Sequence, residues 1–288
     1  MEDKKFAVLI DADNVSAKYI RYILDEIANY GVATYKRIYG DWTKPNTIAW
    51  KEVLLENSVT PVQQYSYTIG KNATDSAMII DAMDILYSGN VDGYCIVSSD
   101  SDFTKLSSRL RESGMMVVGM GERKTPKPFI AACNLFKYLD VLAESEKKSM
   151  GIESVTNITK EFVIEDTKGS SMDTIEKSMT DINIIKVAVK KMLDEVDGTE
   201  QRMNMGEIGN RLAKRYPDFD VRNYGDTKLS KFLRKFDFIN IETDGEGGTS
   251  MWVTSKETGE VYDESDESDI KTEVIRANKR KYKKRKKT

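Results

Sequence analysis

Histidine is absent from all 288 residues. Its absence removes imidazole general bases, Ser-His and Cys-His nucleophile pairs, and imidazole metal ligands. Any chemistry the chain performs must rest on carboxylates, Lys, Tyr or a bound ion. With oxygen ligands alone that ion would be hard, Mg²⁺ or Mn²⁺. Cysteine is nearly as scarce. Cys95 and Cys133 stand far apart without CxxC spacing, which fits two structural thiols in a reducing cytoplasm and argues against a zinc site. No run reaches the roughly 18 apolar residues of a membrane helix, so a membrane span is excluded. The opening residues, MEDKKFAVLIDAD, end a short apolar stretch in aspartates instead of small residues. They read as a buried strand, not a signal peptide.

What is present is enough for two domains: apolar residues make up 40% and charged residues 32%. The net charge of −3 hides an asymmetry. Residues 255–273 hold eight acids against two bases, whereas 274–288 hold nine bases and no acid. That last stretch cannot build a core and reads as a polycationic tail.

Short apolar runs at 6–10, 94–98 and 115–120 are bounded by polar residues or Gly, as buried parallel strands should be. Residues 33–39 and 60–67 look like further strands. Helix-period segments lie between them at 16–30, 74–87 and 103–113. The alternation predicts an α/β fold, a doubly wound parallel sheet over residues 1–145. From 146 to 180 the composition turns polar, predicting a linker with a short strand at 161–164. Helices expected at 182–196, 205–216 and 227–236, followed by strands at 238–243 and 250–255 around the turn-rich 244–248, make a winged helix-turn-helix over 181–255. Residues 256–288 complete the chain as a disordered acidic-then-basic tail.

In doubly wound sheets, sites form beyond the carboxyl ends of the strands. Three acidic groups converge there. Asp11-Ala12-Asp13-Asn14 follows the first strand, Ser98-Ser99-Asp100-Ser101-Asp102 follows the run at 94–97, and Asp75 opens the helix leading towards that run. Carboxylates gathered on one edge repel one another unless a divalent cation neutralises them. Asp and Asn at strand-to-helix junctions are also good helix caps, and for Asp13, Asn14 and Asp102 that role competes with a direct one. Asp81 lies about 600° around the helix from Asp75, so it reaches the site from another angle or is solvated.

These residues carry a resemblance. VLIDADNV, then K-x-x-x-D-x-x-x-x-x-D at Lys71, Asp75 and Asp81, then IVSSDSDF, resemble the NYN family of PIN-like ribonucleases, its bacterial LabA-like branch above all. The resemblance covers residues 5 to about 142. It implies a PIN-like Rossmannoid fold and Mg²⁺- or Mn²⁺-dependent hydrolysis of RNA. Asp11, Asp75, Asp100 and Asp102 match the family's acidic, metal-holding positions, and Asn14 matches the Asn after the first Asp. Asp13, Asp81 and Ser98 form a second tier. Ser99 departs from the Gly common at that position. Residues 181–254 resemble the LOTUS (OST-HTH) domain through YG-x-x-K-L at Tyr224, Gly225, Lys228 and Leu229, implying an RNA-binding or protein-docking winged helix.

The spacing of Lys228, Lys231, Arg234 and Lys235 predicts a basic helix face for RNA. In the tail, Lys283, Lys284 and Arg285 supply dense positive charge for phosphates, and Tyr282 a stacking ring. RNA is the partner expected. Protein docking through the winged helix and a homo-oligomer stay open. Two other functions compete: a non-catalytic RNA-binding scaffold, and a HAD-like phosphatase suggested by DADN after a strand.

Overall fold

The structure, a computed structural model, describes residues 3–65, 72–149, 179–195, 202–243 and 250–256. Lys71, the expected strand at 161–164, the turn at 244–248 and the tail from 257 onwards, with Tyr282, Lys283, Lys284 and Arg285, lie outside these residues.

Strand β1 (Lys5–Asp11) is buried at every position after Lys5, because helices cover both faces of the sheet and leave no polar side for alternation. It is followed by α1 (Ile20–Ala28), β2 (Val32–Gly40), α2 (Ile48–Glu56), β3 (Thr60–Gln63) and α3 (Ala73–Ser88). Then come β4 (Gly93–Val97), α4 (Thr104–Glu112), β5 (Met116–Gly121), α5 (Lys127–Ala132), β6 (Leu135–Tyr138) and α6 (Leu139–Ser149). The six strands run parallel in the order β3-β2-β1-β4-β5-β6. The direction of winding reverses between β1 and β4, which is where such sheets open a crevice at their carboxyl ends.

Each face has its own core. One joins Phe6, Val8 and Ile10 to Ile23 of α1, Trp50 of α2 and Leu139 of α6. The other joins Ala7 and Leu9 to Met78 of α3, Leu106 of α4 and Phe129 of α5. The alternation along β1 between these two cores is the period-2 rule at work inside a run that is wholly apolar.

The strand expected over 60–67 is Thr60–Gln63. Helices α2, α5 and α6 and strand β6 are additions to the expected set. In α2, Trp50 and Leu54 are buried while Ile48 and Leu55 face outward, which blurs the periodicity. In the cases of α5 and β6, six and four residues are too few to show a period.

The C-terminal domain consists of α7 (Ile182–Asp194), β7 (Arg202–Asn204), α8 (Met205–Arg215), α9 (Leu229–Leu233), β8 (Ile239–Thr243) and β9 (Met251–Ser255). Its antiparallel sheet has the order β7-β9-β8, and Ile185, Leu212, Phe232 and Val253 share its core. The helix expected over 227–236 is corrected to Leu229–Leu233. Lys228 precedes it in extended backbone, and Lys235 turns back to Asp226 and to the Tyr224 carbonyl, because the Asp226 carboxylate, only 12% exposed, needs a counter-charge. Of the four bases expected on one face, Lys231 alone is inside the helix.

This domain packs against the outer edge of the parallel sheet. The Phe136 amide of edge strand β6 donates to the Pro217 carbonyl at 2.7 Å, which satisfies an open edge. Beside it, Lys137 donates to Asp220 at 2.6 Å, and Arg222 grips Asp220 and the Glu26 carboxylate of α1. Tyr138 donates to Asp218, which also accepts from the Thr180 amide and hydroxyl.

Candidate metal centre

The switch point brings the carboxyl ends of β1 and β4 side by side, and the start of α3 arrives over them. Asp11 ends β1 and is wholly buried. One of its oxygens accepts from the Asp13 amide at 3.0 Å. The other accepts from Asn14 Nδ2 at 2.8 Å and from Ser98 Oγ at 2.7 Å. Burial pushes the Asp11 carboxyl up, against the three hydrogen bonds that favour its charged form.

Ser98 joins the two strand ends. Its hydroxyl donates to Asp11 and accepts from the Asp100 amide at 3.0 Å. The loop is held from the other side by the Glu122 amide, which donates to Ser99 Oγ at 2.9 Å. That approach requires Gly121, where a Cβ would come within 2.6 Å of the Ser98 carbonyl. Asp100 caps the short turn after β4, accepting from the Asp102 amide at 3.0 Å.

Asp75 lies in the first turn of α3 and is buried. Burial, then the charges of Asp11, Asp100, Asp102 and Asp13, raise its carboxyl to about 6. One oxygen each from Asp75, Asp100 and Asp102 lies within 4.8 Å of the others, a spacing at which one cation can touch all three. Asp11 is not in that group of three. It stands behind it, close enough for its charge to act on Asp75.

Two contacts that the sequence does not announce steer α3 onto the site. Asn72, its N-cap residue, donates from its side-chain amide to Asp102. The Thr74 hydroxyl donates to exposed Asp13 at 3.1 Å. An Asn before a helix is a familiar cap, but here the side chain reaches 30 positions ahead and its own helix gets no cap hydrogen bond from it. Asp81 goes elsewhere: its carboxylate accepts from Arg37 and from the Tyr39 hydroxyl of β2. It is not brought together with the other acids.

The elevated Asp75 carboxyl has a measurable consequence without any ion. A carboxyl whose folded value exceeds its unfolded one penalises the fold as pH rises through that window, here from about 4 to about 6. Asp75→Asn should therefore stabilise the metal-free protein at pH 7 by on the order of 1 kcal/mol. The gain should vanish below about pH 4. Urea melts of both proteins across this range are the check, and parallel pH slopes would refute the raised Asp75 carboxyl.

Residues 5–141 match the family model of the NYN domain, and residues 180–251 match that of the OST-HTH/LOTUS domain. No curated protein matches the chain. Among solved structures, a protein of unknown function from Vibrio parahaemolyticus is similar at 19% identity. That match covers 48% of this chain and 93% of that one, with a TM-score of 0.39.

Proposed function

We propose that this chain, an NYN domain followed by an OST-HTH/LOTUS domain, is a metal-dependent ribonuclease that cuts RNA phosphodiesters internally. NYN domains point to a nuclease and OST-HTH domains to RNA binding. The observation that carries the reading is the convergence of Asp75, Asp100 and Asp102 at the switch point of the sheet, with Asp11 behind them.

The donor set suits a hard divalent cation: carboxylate oxygens alone, several negative charges in mutual reach, and one carboxyl raised first by burial and then by its neighbours' charges. Asp75, Asp100 and Asp102 would hold Mg²⁺ or Mn²⁺, which when bound supplies an activated water and neutralises charge on the phosphate. The remaining residues keep the ligands in place. Ser98 couples Asp11 to Asp100 through one hydroxyl. Asn14 holds the Asp11 carboxylate, Asn72 holds Asp102, and Thr74 ties the helix carrying Asp75 to the loop after β1.

The burial of Asp11 weighs against a HAD-like phosphatase. An aspartyl nucleophile must reach phosphorus, and Asp11 has no exposed surface. The winged helix, through Lys228, Lys231 and Arg234, and the nine bases of residues 274–288 would recruit RNA by attraction to its phosphates. The two cysteines are free and buried, which fits a cytoplasmic protein, and no described helix is long and apolar enough to cross a membrane.

Cleavage of a panel of RNAs should stop in EDTA and return on adding Mg²⁺ or Mn²⁺. Undiminished cleavage in the chelator sinks the metal-centred reading.

A further inference from the structure

The turn after β2 lies at the same edge of the sheet as the acids, because β1 and β2 are paired through Asp11 and Tyr39, and the Ala12 amide donates to the Tyr39 carbonyl at 2.9 Å. The turn is organised by a buried carboxylate with no part in the acid cluster. One oxygen of Asp41 accepts from the Thr43 hydroxyl at 2.6 Å, the Thr43 amide at 3.2 Å and Gln63 Nε2 at 3.1 Å. Gln63 in turn accepts from the Trp42 amide at 3.0 Å, and the Trp42 indole N–H donates to the Val62 carbonyl at 3.1 Å. Backbone and ring of Trp42 are thus both pinned, so the side chain has lost its rotational freedom before any ligand arrives.

The ring is half-buried and rests against the core cluster that contains Ala12 and Val15, the residues flanking Asp13 and Asn14. Gly40 marks how tightly they meet. A Cβ there would lie 3.0 Å from the Ala12 Cβ and 3.9 Å from Trp42 Cζ2. Trp42 and Ala12, next in chain to Asp11, therefore converge on one glycine. Trp50, by contrast, is 1% exposed and belongs to the core. Bases follow three strands at this edge: Lys18 after β1, Lys44 after β2 and Lys124 after β5.

We propose that Trp42 is a stacking platform for one nucleobase of a single-stranded RNA whose backbone crosses the acidic edge. The proposal rests on the ribonuclease reading and narrows it to a substrate class. Indole offers the largest π-face of any side chain. A base can lie on it only when it is not stacked and paired in a helix, and such contacts tolerate any base because every base has a face. A rigid platform loses little entropy on binding. Lys18 and Lys44, beyond the ends of β1 and β2, attract phosphates, while Lys124 is paired with Glu122 at 2.9 Å; the strand is placed by charge and its register by the ring.

The test uses the full chain with Asp100→Asn to block cleavage and Trp252→Phe to remove the tryptophan of the wing. Titration with a short mixed-sequence RNA should quench the remaining fluorescence, and the same strand annealed to its complement should not. Trp42→Leu should weaken single-strand binding about tenfold, as expected for one lost base stack, and abolish the quench. Trp42→Phe keeps an aromatic face and loses the hydrogen bond to Val62. It should retain most of the affinity, whereas a purely structural role would make it as weak as Trp42→Leu. Melting curves identify any variant that does not fold. Equal affinity of the Trp42→Leu and parent proteins, or equal quenching by duplex, overturns the platform. Metal-dependent cleavage by the wild type is scored separately, so either reading can fail without the other.

Discussion

Asp100→Asn should lower RNA cleavage by at least about a hundredfold while leaving the fold and RNA binding nearly intact. Each factor of ten corresponds to about 1.4 kcal/mol of barrier, and the cation that Asp100 would help to hold is worth several kcal/mol of transition-state stabilisation. The substitution is chosen for what it keeps. Asn retains an oxygen that can accept from the Asp102 amide, as Asp100 Oδ1 does, and the Asp100 amide still donates to Ser98. The turn is preserved and the ligand charge is lost. Asp75→Asn should behave alike in cleavage. Asp13→Asn should cost far less, since Asp13 is exposed and holds only Thr74 in place. Single-turnover cleavage of one labelled RNA by the three variants decides the matter. An Asp100→Asn protein that cuts at the wild-type rate would move the active site elsewhere.

The second large effect is expected where the two domains meet. Glu26, Lys137, Asp220 and Arg222 carry charges that sum to zero. The side chains of Glu26, Asp220 and Lys137 are 7%, 10% and 12% exposed. Burial alone would raise Asp220, but the Arg222 guanidinium and then Lys137 hold its carboxyl well below the usual carboxylate range. By linkage, a lowered carboxyl contributes its full stability above the unfolded value, so the network is complete at neutral pH. It is lost only as pH falls below about 4. Removing one partner leaves an uncompensated buried charge, which costs more than the pair was worth.

Lys137→Met, which keeps the stem and deletes the charge, should destabilise the protein by roughly 3 kcal/mol. The melting temperature should then fall by about 6–12 °C. Adding Glu26→Gln restores neutrality while Gln still accepts from Tyr30, which donates to Glu26 at 3.1 Å, and should recover much of the loss. Scanning calorimetry of the single and double variants measures both. If Lys137→Met melts with the wild type, the four charges do not hold the domains together.

How much of this was legible beforehand differs from residue to residue. FAVLI, YCIV and MMVVGM read as buried strands because a strand covered on both faces has no polar side. Their identity survives any detail of the packing. Helix α2 was illegible because Ile48 and Leu55 point outward and cancel the signal of Trp50 and Leu54. Edge strand β6 hides for a different reason. Its four residues make sense only with β5 on one side and Pro217 on the other. One family motif runs through both Asp75 and Asp81, with Asp81 only in the second tier, and the two acids part company: one joins Asp100 and Asp102, and the other is bound by Arg37 and Tyr39.

The sequence by itself determined the class of the fold, the order of its two domains, and the acids at the ends of β1 and β4. Apolar period, chain direction and the junction between strand and helix are local properties, and they deliver those carboxylates to one edge whatever else happens. Only the tertiary structure decided which acids stand together and how each is held. Ser98 meets Asp11 from 87 positions away, Asn72 meets Asp102 from 30, and Arg222 meets Glu26 from 196. A charge chooses among partners by distance and burial, and neither quantity exists until the chain has folded.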